Sequence, residues 1–190
     1  MRIIAGEARG RTIEAPAGRT TRPTLDRVRE NLFNMLQGET DGRRVLDLFA
    51  GSGALSLEAL SRGAQFAVMV DRDRAANQCQ KKNIGSLRMG DRTRVILGDW
   101  RSAVRQLEAE GETFDLIFLD PPYEMVDLRE VLEALEPVMS DDALIVIEHE
   151  GSREVRVPTF FETIKERKWG YCGVTIGRKS EGRDGEGESE

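Results

Sequence analysis

From Arg43 onward, apolar runs rich in β-branched residues alternate with helical stretches, and nearly every run ends on glycine or a carboxylate. This alternation constrains the fold more than any other feature. Residues 45–49 lead into Ala50-Gly51-Ser52-Gly53, and residues 66–70 end at Asp71. Residues 94–97 precede Gly98-Asp99, residues 114–119 end in Asp120-Pro121-Pro122-Tyr123, and residues 143–147 form a fifth run. Between them, helices are expected over 54–62 with Gly63 at the C-cap, from a cap at Asp73 to about Leu87, over 102–109, and over 128–135 until Pro137 ends the last. The pattern predicts an α/β fold: a mostly parallel sheet covered by helices on both faces, with right-handed crossovers. Residues 163–168 and 171–176, around Gly170, predict a closing antiparallel hairpin.

Ahead of this core, residues 2–5 and 11–15 read as a small hairpin. A helix then follows Arg22-Pro23-Thr24, with Thr24 as N-cap and Leu25, Val28, Leu32 and Met35 or Leu36 on one stripe. Residues 1–179 are expected to form one domain, with 1–42 an N-terminal extension and 43–179 the ligand-binding core. The segment 180–190 has no apolar residue and a local charge of −4, which predicts a disordered acidic tail. No apolar run reaches the length of a membrane span. Two distant cysteines and one histidine make a metal cluster or disulfide scaffold unexpected. A cytoplasmic, monomeric protein without metal is the expectation.

Ligands of such sheets bind beyond the carboxyl ends of the strands, so the polar strand ends should share one edge. The first of them, Asp47-Leu48-Phe49-Ala50-Gly51-Ser52-Gly53, is a strand running into a glycine turn and a helix. It lacks the third glycine of a dinucleotide loop and the lysine of a phosphate loop. An acid at Asp47 suits a ligand amine better than a pyrophosphate. Asp71, twenty positions after Gly51 with Arg72 beside it, is placed to accept from ribose hydroxyls. Asp99 can accept from an adenine amine, and Trp100 can pack on the ring. Together these describe an adenosine carrying an amino acid, which is S-adenosyl-L-methionine. Taken singly each has a plainer reading: turn glycines, helix caps, a packing tryptophan.

In Asp120-Pro121-Pro122-Tyr123 two prolines remove two backbone donors. Asp120 and the Pro121 carbonyl can then accept both hydrogens of an exocyclic amine, while Tyr123 offers a face to a base drawn from its stack. His149 reads as a structural or rim residue. Glu148 is able to line the cleft but is not chosen as a site residue.

The net charge of −6 argues against nucleic acid, yet residues 1–29 carry seven arginines and a local +4. A basic stretch matters more to such binding than net charge, so the arginines of this arm, Arg11, Arg22, Arg27 and Arg29 among them, are candidates for nucleic-acid contact.

These residues resemble the RsmD family of small-subunit ribosomal RNA guanine-N2 methyltransferases. The resemblance runs from Arg2 to about Lys179. It rests on Arg2-Ile3-Ile4-Ala5-Gly6, Arg22-Pro23-Thr24 with Arg27-Val28-Arg29-Glu30, the stretch from Asp47 to Ala54, Glu58-Ala59-Leu60-Ser61-Arg62-Gly63, Val70-Asp71 and Asp120-Pro121-Pro122-Tyr123. The glycine turn and the Asp-Pro-Pro-Tyr belong to many amino-methyltransferases, whereas the arginine-proline-threonine segment is more specific. The resemblance implies a seven-stranded class I methyltransferase sheet, S-adenosyl-L-methionine as donor, and a guanine N2 of 16S rRNA in partly assembled small subunits as acceptor. It further implies Gly51 and Gly53 at the donor, Asp71 on its ribose, Asp99 on its adenine, Asp120 through Tyr123 on the target base, and Arg22, Thr24, Arg27 and Arg29 flanking the cleft to contact RNA or the donor. The final strand departs from the family by ending in Arg178-Lys179 without the usual aromatic, and the acidic tail is an addition. Three alternatives remain: an adenine-N6 or cytosine-N4 acceptor, a nicotinamide oxidoreductase, and a non-catalytic RNA-binding assembly factor.

Overall fold

The computed structural model describes residues 1–16, 23–122 and 124–180, with the side chains of 23–25 outside that description. Arg22, Tyr123 and the tail beyond Ser180 therefore lie outside the described residues. Seven strands form one sheet: β1 (Arg44–Asp47), β2 (Phe66–Asp71), β3 (Thr93–Leu97), β4 (Phe114–Leu119), β5 (Met139–Glu150), β6 (Phe161–Trp169) and β7 (Cys172–Lys179), in the order β3-β2-β1-β4-β5-β7-β6. The first five run parallel, and β7 lies antiparallel between β5 and β6. The order reverses between β1 and β4, which makes the edge beyond Asp47 and Leu119 the switch point.

The period-two alternation of strand side chains splits the core into two layers. Val45, Met69, Leu116 and Phe118 face one layer, packed with Leu57 and Leu60 of α2 (Ala54–Ser61), Leu32 and Phe33 of α1 (Pro23–Met35), and Ile84 and Leu87 of α3 (Arg74–Leu87). Leu46, Val68 and Ile117 face the other, beneath α4 (Trp100–Ala109) and α5 (Arg129–Leu135). In α4 the buried residues are Trp100, Ala103, Val104 and Leu107, a single stripe at helical spacing.

Several boundaries differ from expectation. The N-terminal hairpin shrinks to one bridge, Arg2 with Thr12, because Ile3 and Ile13 are buried and the turn between them is pinned to α2 instead. Glu58 accepts from the amides of Ile4 and Ala5 at 2.8 and 3.0 Å, and Ser61 Oγ accepts from Ala8 N at 2.9 Å. A Cβ on Gly6 would lie 1.7 Å from the Ser61 carbonyl oxygen, so this approach requires glycine. Helix α1 starts at Pro23, which places Thr24 inside the first turn rather than at the cap. Proline suits that position because its missing donor is unpaired there anyway. Helix α4 starts at Trp100, two residues early, because Asp99 caps it by accepting from Arg101 N and Ser102 N. Strands β5, β6 and β7 all run longer than the apolar pattern marks. No helix among the described residues is long and apolar enough to cross a membrane.

Candidate active site

The turn after β1 is held from several directions. Gly51 and Gly53 adopt φ of 53° and 79°, a left-handed conformation that favours glycine. Gly51 N donates to Asp71 Oδ2 at 2.8 Å, tying the turn to the end of β2. The other oxygen, Oδ1, accepts from Asp73 N at 2.9 Å. Gln80 Nε2 donates to the Gly51 carbonyl at 2.9 Å, and Asn83 Nδ2 to the Ser52 carbonyl at 3.0 Å. Gln80 and Asn83 are buried polar residues of α3 that periodicity alone does not single out. Their only sequence signal is an amide on the inward stripe of the helix.

Beside this turn lies a cavity of about 190 Å³. Its walls include Asp47, Phe49, Ala50, Gly51, Ser52, Asp120 and Glu148, with Ala15, Val28 and Arg29 contributed by the N-terminal extension. The glycine turn and the start of the Asp-Pro-Pro-Tyr segment thus face one space. A larger cavity of about 380 Å³ lies at the other end of the sheet, among Met35, Arg43, Asp142, Lys165 and Arg178. It contains none of the expected site residues, so size alone would misplace the chemistry.

Asp47 is fully buried at the cavity wall. Its Oδ2 accepts from Ser56 Oγ at 2.9 Å, while Oδ1 has no hydrogen-bond partner among the described residues. Burial is the main cause that pushes its carboxyl up to about 7, against a smaller lowering by Ser56. A buried, half-satisfied carboxylate is costly unless a cationic or donor group completes it. Asp99 is exposed, and hydrogen bonding from Ser102 holds its carboxyl below the usual range. Arg72 is exposed beside Asp71.

On the acceptor side, Asp120 is exposed at the cavity, Pro121 is buried and Pro122 is exposed. The Pro122 carbonyl accepts from Met125 N at 2.8 Å, closing the turn. Glu148, at the end of β5, lines the cavity opposite the glycine turn and accepts from the Cys172 thiol at 3.3 Å. Burial raises its carboxyl, and burial followed by the Glu148 charge raises the thiol. His149 is buried between the Glu150 carbonyl and the Thr175 hydroxyl, a structural placement.

Two expected contacts are corrected. Trp100 is only 7% exposed, lies in the core under α4 and has the Arg101 guanidinium 4.4 Å from its ring centre. It packs the core and does not line the cavity. Arg29 is also buried, donating to the Arg2 carbonyl and to Asp26, with Glu58 Oε2 at 3.8 Å. It anchors the extension and shapes the cavity, and is not available to RNA. Arg11 is exposed and donates to the carbonyls of Ser86 and Leu87 at the C-terminal end of α3. Arg27 is exposed on α1, as an RNA contact requires. Arg22, Tyr123 and the Thr24 side chain lie outside the described residues.

The strand order, with an antiparallel β7 inserted beside β5 and a glycine turn at the switch point, defines a class I methyltransferase fold, the Rossmann-like sheet of S-adenosylmethionine-dependent enzymes. A family described as Conserved hypothetical protein 95 matches residues 1–178, and the chain belongs to this family, the RsmD family. The Escherichia coli Ribosomal RNA small subunit methyltransferase D is 37% identical over 193 residues, covering 100% of this chain and 93% of that protein. The Bacillus subtilis protein YlbH is 41% identical over 184 residues, covering 94% and 99%. Among solved structures, Escherichia coli yhhF superposes with a TM-score of 0.81 at 37% identity, covering 95% of this chain and 98% of that one.

Proposed function

We propose that this protein transfers a methyl group from S-adenosyl-L-methionine to the N2 amine of a guanine in 16S rRNA, within small-subunit particles. The observation that carries the reading is the shared cavity, lined by the glycine turn, by Asp120 and by Asp47, whose Oδ1 has no partner among the described residues. The residues present fit the donor. Asp47 would hold its ammonium group, the N-terminal amides of α2 its carboxylate, Asp71 its ribose, and Asp99 its adenine. When bound, the donor supplies a methyl group made electrophilic by a sulfonium.

The remaining chemistry falls to the protein. Asp120 and the Pro121 carbonyl accept from the two hydrogens of the target amine and orient it. That loosens the lone pair from the ring and aims it along the transfer axis, so catalysis is mainly positioning and electrostatics. As nitrogen gains its fourth bond, Asp120 stabilises the positive charge and takes the surplus proton toward solvent. Tyr123 is assigned to stack on the base, and Arg22, Thr24 and Arg27 to guide the RNA. The names of the relatives support ribosomal RNA over DNA as the polymer.

The test is methyl transfer to small subunits from cells lacking this protein, compared with duplex DNA, followed by mass mapping of the product. N2-methylguanine in 16S rRNA is expected. Transfer to DNA alone, or no binding heat with S-adenosylmethionine, would overturn the reading.

A further inference from the structure

Two hollows meet at the acceptor end. One is the donor-side cavity; the other, a shallow hollow, is lined by Pro121, Pro122, Met125 and Val155. Glu148 is the one side chain among the described residues that lines both. It stands at the end of β5, next to β4 in the sheet, so it adjoins the strand that delivers Asp120. The Cys172 thiol, donating to Oε1, is its one hydrogen-bond donor among the described residues. Neither the ammonium-binding role of Asp47 nor the amine-binding role of Asp120 uses this carboxyl.

We infer that Glu148 selects guanine, its carboxylate accepting the N1–H beside the N2 amine that Asp120 and Pro121 hold. This deepens the reading above and rests on it. The chemistry discriminates sharply. Next to its exocyclic amine guanine presents a ring N–H, a donor, whereas adenine and cytosine present an unprotonated ring nitrogen, an acceptor. A carboxylate pairs with the first and repels the second. A pocket built to bond a particular N–H rejects an analogue lacking it, because its own polar group is left unpaired. Half-buried between two hollows, Glu148 has limited access to water that could replace that partner. The Cys172 thiol occupies one oxygen and holds the carboxyl in place.

The probe is 16S rRNA assembled into small subunits with either guanine or 2-aminopurine at the nucleotide that the wild-type protein methylates. 2-Aminopurine keeps the exocyclic amine and lacks the N1–H. Wild-type protein should prefer guanine by roughly 30-fold or more in kcat/KM. In Glu148→Gln the amide can turn a donor toward the ring nitrogen, so the preference should fall to about threefold or less, chiefly by loss on guanine. Affinity for S-adenosylhomocysteine should stay unchanged, which reports an intact fold. Glu148→Asp keeps the acceptor and should retain a guanine preference of about tenfold while losing rate. An unchanged preference in Glu148→Gln, or its collapse in Glu148→Asp, overturns the inference and leaves the methyltransferase reading intact. Absence of guanine-N2 transfer by the wild-type protein overturns both.

Discussion

The two ends of the cleft are built to different standards of closure. At the donor end, Asp71, Gln80 and Asn83 fix the glycine turn by buried or half-buried hydrogen bonds, and Asp47 is sealed behind it. At the acceptor end, Asp120 and Pro122 are exposed on a corner that follows the last residue of β4. Under the proposed function, the contrast follows from what each end would admit. A small donor can be enclosed by a pocket formed in advance, whereas a nucleotide still attached to a large RNA needs an open rim. Polar groups at the closed end therefore carry a stability cost that those at the open end avoid.

The largest effect should come from separating the two ends. Asp120→Ala is expected to lower methyl transfer by about a thousandfold or more, because one of two acceptors orienting the amine is lost. Titration with S-adenosylhomocysteine should show donor affinity within about threefold of wild type, as the loss of one exposed group leaves the donor contacts intact. Loss of donor binding in that variant would mean the ends are not independent.

Arg29 tests the frame rather than either end. It is buried, and its removal leaves the Arg2 carbonyl without its donor and Glu58 with Arg62, at 2.8 Å, as its one ionic partner among the described residues. Arg29→Ala should destabilise the protein by about 2–3 kcal/mol, read as a lower urea midpoint. The salt dependence of RNA binding should not change. A loss of RNA affinity at unchanged stability would return Arg29 to the interface.

Under the proposed function, Asp47 is expected to carry the pH dependence of the donor end. Burial pushes its carboxyl up to about 7 in the folded protein, well above the ordinary range of a carboxyl in an unfolded chain. The native state thus holds a proton that the unfolded chain releases. That contribution to stability is full below about pH 4 and is lost as pH rises through about 7. Binding a donor ammonium needs the ionised form and works in the opposite direction. Between pH 8 and pH 6 the donor dissociation constant should rise about tenfold. Asp47→Asn should weaken donor binding by roughly 10- to 100-fold and flatten that profile. The same variant should melt at a higher temperature than wild type above pH 7 without donor. Calorimetry across the pH range checks both signs.

Legibility in the sequence followed the same division. The strand–helix alternation fixes the sheet because β-branched runs bounded by glycine and aspartate have few other folds, and the donor turn stood out because each strand ends on a distinctive residue. What escaped were groups whose role depends on contacts across the chain. Gln80 and Asn83 look like ordinary helix residues until α3 packs behind the turn. Glu58 becomes a hub only when residues 4 and 5 fold back on it, 53 and 54 positions away in sequence. Arg29 sat in a basic stretch, and charge counting cannot distinguish a solvated arginine from one buried among carbonyls. Trp100 turns its ring into the core because the helix begins at that residue, a boundary set by the Asp99 cap and not by apolar spacing.

The smallest expected effect is on the open surface. Arg27 is exposed on α1, the helix that contributes Val28 and Arg29 to the cavity wall. If RNA approaches across this helix, Arg27 neutralises a phosphate and releases about one counterion on binding. Arg27→Ala should then weaken binding of small subunits a few-fold at low salt and reduce the slope of log affinity against log salt by about one. Stability and donor affinity should stay at wild-type values, since an exposed arginine outside the cavity contributes little to either. Filter binding between 50 and 200 mM salt, the range over which such contacts separate most clearly, decides the point. An unchanged slope would move the RNA path off α1 and toward the acceptor corner beyond Pro122.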